Sequence, residues 1–224
     1  MAIVKLAISV LTALALMAQA SFDYFGVQRD MFAGFAGDID AMARAMAACE
    51  KALADNPKHP QALVWHGIGT LAQASRDPQR APVLMINGIS EMDRAVALEP
   101  GDLGVRIPRG AMLMGMARQL PDSPLRQEFI ERGRGDFQFA FDVQARAGML
   151  DSIGRHPLGE LLQGLSDAYS RQGKPDEAQK YYEMIRAKLP DTEYARRAAL
   201  WMETRQPLPL AQTACVGCHT GPRY

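Results

Sequence analysis

Proline-containing breaks divide this chain into helix-length segments, and the positions of these breaks constrain its fold more than any other feature. Asn56-Pro57 and Glu99-Pro100 each follow a segment that carries small and apolar residues at helical spacing, and a new segment begins soon after each pair. Proline lacks an amide hydrogen and disfavours helical conformation in the residue before it, so it ends helices more often than it continues them. The repeated order of helix, proline turn and helix predicts helical hairpins arranged in series.

Several helix boundaries can be predicted from the same kinds of capping and helix-breaking residues. Asp38 is expected to cap a helix that ends near Ala54, and residues 21–37 are expected to be a leading segment whose aromatic side chains dock onto the first helices. A helix is expected from Pro124 to about Gly148, interrupted near Gly133 because glycine is a poor helix former. The remaining helices are expected at residues 60–74, 82–98 and 191–204.

Residues 162–190 carry the most specific register. This stretch has a defined order of residue types. Large residues come first, then a glycine, an alanine and an aromatic residue, and a proline ends the stretch: Leu162, Leu165, Tyr169, Gly173, Ala178, Tyr182 and Pro190. This arrangement resembles the tetratricopeptide repeat (TPR), in which large residues on one helix pack against a small residue and an aromatic on the next. The same register fits earlier residues, namely Ala45, Cys49, Ala52, Pro57, Leu63, Gly67, Gly88, Met92, Ala95, Pro100 and Gly110.

The resemblance covers residues 38–117 and 157–200 and implies an all-α fold, a TPR-like array of helical hairpins (an α-solenoid). Such arrays offer a concave groove to other proteins. Pro57 and Pro100 are 43 positions apart, whereas the family repeat has about 34 residues. We therefore expect an insertion around residues 76–83.

The first 20 residues have the features of a secretory signal peptide. Lys5 supplies a positive charge, residues 6–17 form a short apolar run, and Ala18-Gln19-Ala20 matches a small-x-small cleavage site. The run is too short to span a bilayer comfortably as a permanent helix, and an uncleaved N-terminal anchor is the alternative. We expect a periplasmic or otherwise exported protein, whose cysteines meet an oxidising compartment.

Three segments are therefore expected: the signal peptide at residues 1–20, the TPR-like helical domain at 21–205 and a short irregular tail at 206–224. The tail contains a Cys-x-x-Cys-His motif, formed by Cys215, Cys218 and His219. This is the attachment sequence of c-type haem. The motif is specific because the chain has only three Cys and four His.

The motif predicts one covalent haem c. Two thiols at this spacing can both reach the vinyl groups on one edge of the porphyrin, and the histidine that follows can bind the iron. Cys215 and Cys218 would then form the thioethers, and His219 would be the proximal ligand. A zinc half-site and a redox disulfide are the alternatives, because a Cys-x-x-Cys pair has several uses.

The tail is too short to enclose a haem by itself. Five residues follow His219, and the alternating Pro207 and Pro209 favour an extended path before the motif. Either the helical array covers the haem and offers a distal ligand, or the tail presents the haem to a redox partner that the array grips. Candidate distal ligands are His66, Met112, Met114, Met116 and His156.

Each distal candidate has a structural alternative. His66 could be a hydrogen-bonded core or groove histidine, and His156, before Pro157, could be a solvent-exposed loop residue. Met112, Met114 and Met116 alternate along a helical segment, so they cannot all face one way, and core packing is their alternative role.

Arg106 and Arg109 form a basic pair at the start of a predicted helix. They are candidates to bind haem propionates or acidic residues of a partner, because guanidinium groups bind carboxylates in a bidentate way. Internal ion pairs with Asp102 or Glu99 are the alternative. Cys49 falls at a packing position of the repeat and is expected to be a buried free thiol.

Charge and motif content exclude several function classes. The formal net charge is +0, which gives no electrostatic reason to bind nucleic acid or an anionic membrane. No hydrolase nucleophile motif and no phosphate-binding glycine loop occurs in the sequence. Electron transfer or redox partnering through haem is the favoured function, and a periplasmic protein-binding module whose tail binds metal or forms a disulfide is the alternative. An enzyme remains open if the iron keeps a vacant distal position.

Overall fold

The computed structural model describes residues 22–209, and all regular secondary structure in this part of the chain is helical. The helices are α1 Tyr24–Phe35, α2 Ile39–Asp55, α3 Pro60–Ala74, α4 Ala81–Leu98, α5 Leu103–Gln119, α6 Pro124–Arg146, α7 Arg155–Arg171, α8 Pro175–Lys188 and α9 Glu193–Thr204. None of these helices combines the length and the apolar character needed to cross a membrane.

The helices pack as four consecutive hairpins and a final helix. The pairs α1/α2, α3/α4, α5/α6 and α7/α8 are the hairpins, and α9 packs on α8. The first helix of each hairpin also contacts the first helix of the next, so α1, α3, α5 and α7 lie side by side. This is the TPR-like α-solenoid that the sequence predicted, with most helix–helix contacts between neighbouring hairpins.

The helix ends follow local chemistry that the sequence shows. Asp38 accepts a hydrogen bond from the amide of Ala41 and caps α2, as predicted. Proline occupies the first turn of α3, α4, α6 and α8, where its missing amide hydrogen costs nothing. Gly173 ends α7 with a positive φ of 68°, a conformation that glycine adopts without steric cost.

The aromatic side chains of the leading segment 21–37 dock onto the array as predicted, since Tyr24 and Phe32 both pack on the ring of Trp65 in α3. No helix was assigned to this segment from the sequence, whereas residues 24–35 form α1, the first helix of the first hairpin. Asp23 caps α1 by accepting a hydrogen bond from the amide of Gly26. The buried face of α1 consists of Val27, Met31 and Gly34. Their helical spacing was not recognised in the sequence because the segment also contains several aromatic residues.

The helix break predicted near Gly133 was wrong, because α6 runs without interruption from Pro124 to Arg146. Gly133 packs against Gly110 of α5, and a Cβ on Gly133 would lie 3.1 Å from the Gly110 carbonyl oxygen. Gly67 and Gly88 make the same kind of close crossing between α3 and α4, where a Cβ on either residue would lie 2.6 Å from the other's carbonyl oxygen. Glycine here serves helix–helix packing and does not end the helix.

Two apolar cores fill the array. The first extends from α1 to α7, and the second lies among α7, α8 and α9. In the second core Trp201 stacks on Tyr182 with ring centroids 4.6 Å apart and donates a hydrogen bond to the Ser170 hydroxyl. Leu208 packs into the same core, so the chain after α9 is held against the array up to this residue.

Candidate functional site

An apolar groove of about 580 Å³ opens on the face formed by α1, α3 and α5. Its walls are mostly aromatic and aliphatic, and they include Phe32, Phe35, Trp65, Leu71, Met112 and Met116. The packing of α1, α3 and α5 side by side creates this groove, because each helix turns one apolar stripe toward it. Met85 of α4 closes one side.

Helical spacing decides which of the three candidate methionines reach the groove. Met112 and Met116 are four residues apart on α5, so they share one face, and both line the groove. Met114 points to the opposite side, where it is completely buried and packs against Gly133 of α6. The structure therefore brings Met112 and Met116 together and separates Met114 from them.

Pro108 shapes the same stretch of α5. It lies inside the helix and lines the groove. A proline at this position cannot donate a hydrogen bond to the carbonyl of Gly104, one turn earlier. The Tyr24 hydroxyl of α1 donates to that carbonyl at 3.3 Å, and burial raises the pKa of Tyr24 to about 12. This contact ties α1 to α5 at one end of the groove.

Two arginines supply positive charge at the groove, Arg76 after α3 and Arg118 at the end of α5. Arg76 is exposed and donates a hydrogen bond to the carbonyl oxygen of Gly34 at 3.3 Å. Arg118 binds the fully buried carboxylate of Asp167 at 2.8 Å. Neither arginine was predicted as a site residue, since each lies near a helix end with no distinctive neighbours.

The same Asp167 carboxylate connects the groove to the C-terminal end of the described chain. Arg171 binds Asp167 at 3.0 Å and donates a second hydrogen bond to the carbonyl oxygen of Leu208 at 2.7 Å. Arg118, Asp167 and Arg171 therefore form one network from the groove to Leu208. Leu208, whose side chain packs in the second core, is thereby held at this network.

His66 does not line the groove. Its neighbour Trp65 does, and His66 turns instead toward α4, where its Nδ1 atom lies 2.7 Å from a carboxylate oxygen of Glu91. This hydrogen bond raises the pKa of His66 above its usual value. The arrangement matches the hydrogen-bonded histidine that was the alternative expectation; a distal-ligand role for His66 stays a prediction.

His156 lies at the exposed start of α7, outside the lining of the groove. Its Nδ1 atom is 2.8 Å from the hydroxyl of Tyr194 on α9. His156 and the groove methionines therefore belong to different parts of the array, and its proposed iron ligation stays a prediction.

Arg106 and Arg109 both bind Asp136, a completely buried carboxylate of α6. Arg109 Nε and Arg106 Nη1 lie 2.7 and 2.9 Å from it, and Arg109 also binds Asp93 at 3.1 Å. Internal pairing with Asp102 or Glu99 was the alternative expectation, and the actual carboxylates come from α6 and α4. Binding of a haem propionate or partner by these arginines stays a prediction.

The motif residues Cys215, Cys218 and His219 lie outside the described residues, as does the expected signal peptide at residues 1–20. Within residues 22–209 no group of three His, Cys, Asp or Glu side chains is placed to hold a metal ion. Cys49 is fully buried, which raises the pKa of its thiol to about 12, and it forms no disulfide with another described residue.

No family model matches the chain, and no curated protein matches it. Among solved structures, a thermophilic TPR protein from Thermus thermophilus is similar over 74% of this chain and 92% of its own, with 20% identity and a TM-score of 0.38. The packing of the chain's own helices defines its class, a TPR-like array of helical hairpins.

Proposed function

We propose that this protein is an exported c-type haem protein in which the TPR-like array covers or presents a single covalent haem for electron transfer. Cys215 and Cys218 would hold the haem through thioethers, and His219 would bind its iron through one imidazole nitrogen. The observation that carries the proposal is the position of the motif. It begins seven residues after Leu208, whose carbonyl accepts a hydrogen bond from Arg171, and Arg171 shares the Asp167 carboxylate with Arg118 of the groove lining.

The apolar lining of the groove is suited to the haem that the Cys-x-x-Cys-His motif would carry. A porphyrin is large and apolar, and its exposure to water would leave a sticky surface. A groove of about 580 Å³ lies in the range of small-molecule and cofactor sites, and its aromatic and aliphatic walls can exclude water from such a ring. The bound haem would supply one-electron redox chemistry, and the protein would supply its ligands and its apolar surroundings.

A periplasmic protein-binding module is the second candidate. The observation that favours it is the same groove, because an open apolar groove on a helical array can take apolar side chains of a partner. In that case Cys215, Cys218 and His219 would bind a metal ion, with a fourth ligand from elsewhere, or the two cysteines would form a redox disulfide.

Spectroscopy of the full-length chain, expressed together with a haem-attachment system, tests the proposal. We expect a Soret band that stays with the protein after acid–acetone extraction. The variant Cys218→Ala should lose one thioether and shift the α-band of the reduced protein. Cys49→Ala is the matched control, because it removes the cysteine outside the motif and should leave the spectrum unchanged.

Thiol titration of the unfolded protein separates the two candidates. The chain has three cysteines, so covalent haem leaves one reactive thiol whether or not a reductant is present. A tail disulfide gives one thiol before reduction and three after it, and a zinc site gives three in the presence of a chelator. A colourless protein with one equivalent of zinc would refute the haem proposal.

A further inference from the structure

We propose that the groove between α1, α3 and α5 houses the haem carried by residues 210–224, and that the sulfur of Met112 or Met116 binds its iron opposite His219. The proposal rests on the function proposed above, because it requires a haem on Cys215 and Cys218. It goes further in two respects: the helical array covers the haem, and the second protein ligand of the iron comes from α5.

The first argument is the point at which the described chain ends. Arg171 holds the Leu208 carbonyl, Asp167 joins Arg171 to Arg118, and Arg118 lines the groove. An extended chain advances about 3.3–3.6 Å per residue, so the seven residues from Leu208 to Cys215 can span roughly 20 Å or more. An extended span of that length separates the motif from Leu208, and the network that anchors Leu208 ends at Arg118 in the groove lining.

The second argument is the chemistry of the groove wall. Met112 and Met116 present two thioethers on one face of α5, both only partly buried, and the described residues that line the groove include no histidine. A thioether is a haem-iron ligand in electron-transfer proteins, where it raises the reduction potential. Met85 faces the same groove from α4, but it lies on a helix that contributes less to the lining.

The third argument is charge. A haem carries two propionates, and apolar walls alone would leave both carboxylates without partners. Arg76 is exposed beside the groove, and its described hydrogen bond is to a backbone carbonyl, so its charge is available to a carboxylate. Arg118, which is also paired with the buried Asp167, adds a second guanidinium at the end of α5. Guanidinium groups bind carboxylates with paired, charge-assisted hydrogen bonds.

Substitution of the methionines in the haem-loaded, full-length protein tests the ligand. The oxidised wild-type protein should show the weak long-wavelength charge-transfer band of methionine-ligated ferric haem. The double variant Met112→Leu/Met116→Leu should lose this band and should lower the reduction potential, while the covalently attached haem is retained. The two single variants then identify the ligand, because only one of them should lose the band.

A glycine on α5 allows a test that removes no sulfur. Gly115 lines the groove, and a Cβ there would meet no described atom within 4 Å, so Gly115→Leu should fold while its side chain fills part of the groove. We expect loss of the charge-transfer band and faster binding of carbon monoxide to the reduced iron. Gly135→Leu is the matched control, since Gly135 is also helical with open space around it but does not belong to the described groove lining.

The outcomes separate this proposal from the proposed function. A protein without covalent haem would contradict both. A protein with covalent haem whose wild-type spectrum lacks the band, or whose double methionine variant keeps it, would overturn the groove assignment alone. Loss of the band in Met85→Leu, with retention in the double variant, would overturn the assignment to α5.

Discussion

Asp136 is a completely buried carboxylate whose negative charge is balanced by Arg106 and Arg109. Both arginines lie on α5 and the carboxylate lies on α6, so the cluster joins the two helices of the third hairpin. Burying these charges is costly, and the cluster is stable only while all of its members are paired. Removal of such a carboxylate leaves buried arginine charges without a partner, and this loss of stability is the main measure of its contribution to the fold.

Replacement of Asp136 by Asn should therefore destabilise the protein by about 3 kcal/mol, because two guanidinium groups lose their buried countercharge. The measurement is the free energy of unfolding from urea denaturation. Asp142→Asn, an exposed change on the same helix, should stay within about 0.5 kcal/mol of wild type. Equal stability of the two variants would show that the buried cluster contributes nothing.

At the scale of elements, the second and third hairpins contain close helix crossings at paired glycines. A Cβ on Gly88 would lie 2.6 Å from the Gly67 carbonyl oxygen and 2.7 Å from the Leu71 side chain. Backbone atoms cannot yield as a flexible side chain can, so α3 and α4 would have to separate. The same glycine pairing recurs at Gly110 and Gly133 in the next hairpin.

Gly88→Ala should consequently lower the free energy of unfolding by about 1–3 kcal/mol, the usual cost of overpacking, even though alanine is the better helix former by about 1 kcal/mol. Gly135→Ala, where the added Cβ meets no described atom within 4 Å, should stabilise the protein by up to about 1 kcal/mol. The two variants should thus shift the urea midpoint in opposite directions. A stabilising effect of Gly88→Ala would contradict the close crossing.

Most element boundaries could be predicted because caps and prolines act locally. Asp38, Pro60 and Pro124 begin or cap helices where the sequence indicated. Gly133 was misinterpreted because the same residue type breaks a helix when exposed and permits a close crossing when buried. Only the partner, Gly110 on another helix, decides between these outcomes.

At the scale of the whole molecule, contacts between neighbouring hairpins make the array nearly one-dimensional. The second core, among α7, α8 and α9, is separate from the first core, and α9 contacts the array chiefly through α8. In such arrays stability is approximately the sum of the repeats and the interfaces between neighbours. Damage to one end is therefore expected to remain at that end.

Tyr182→Ala tests this behaviour. Tyr182 is completely buried in the second core, so the substitution should cost roughly 3–5 kcal/mol, by analogy with other aromatic truncations. Amide hydrogen exchange, followed by mass spectrometry of peptides, should accelerate in α7, α8 and α9 and change little in α1, α2 and α3. Equal acceleration along the whole array would show that the two cores unfold as one unit.

The candidate site was predictable only in part. Met112, Met116 and the Cys-x-x-Cys-His motif were visible because sulfur and imidazole side chains are scarce and chemically specific. The groove itself depends on three helices that are far apart in sequence, and α1 was not recognised. The buried carboxylates Asp136 and Asp167 could have been predicted only from their positions on the inward face of a helix. Such positions are hard to recognise because the same helices also carry charged residues on their exposed faces.

The hydrogen bond from Arg171 to the Leu208 carbonyl holds the chain two residues before the tail residues 210–224 begin. Any group on those residues is thus tethered within a limited reach of Leu208, and a short tether gives an effective concentration on the order of millimolar near its anchor. A groove that binds the tethered group with a dissociation constant below that concentration would remain filled most of the time. It could also release its occupant to a visiting protein and recapture it afterwards, because the occupant never diffuses away.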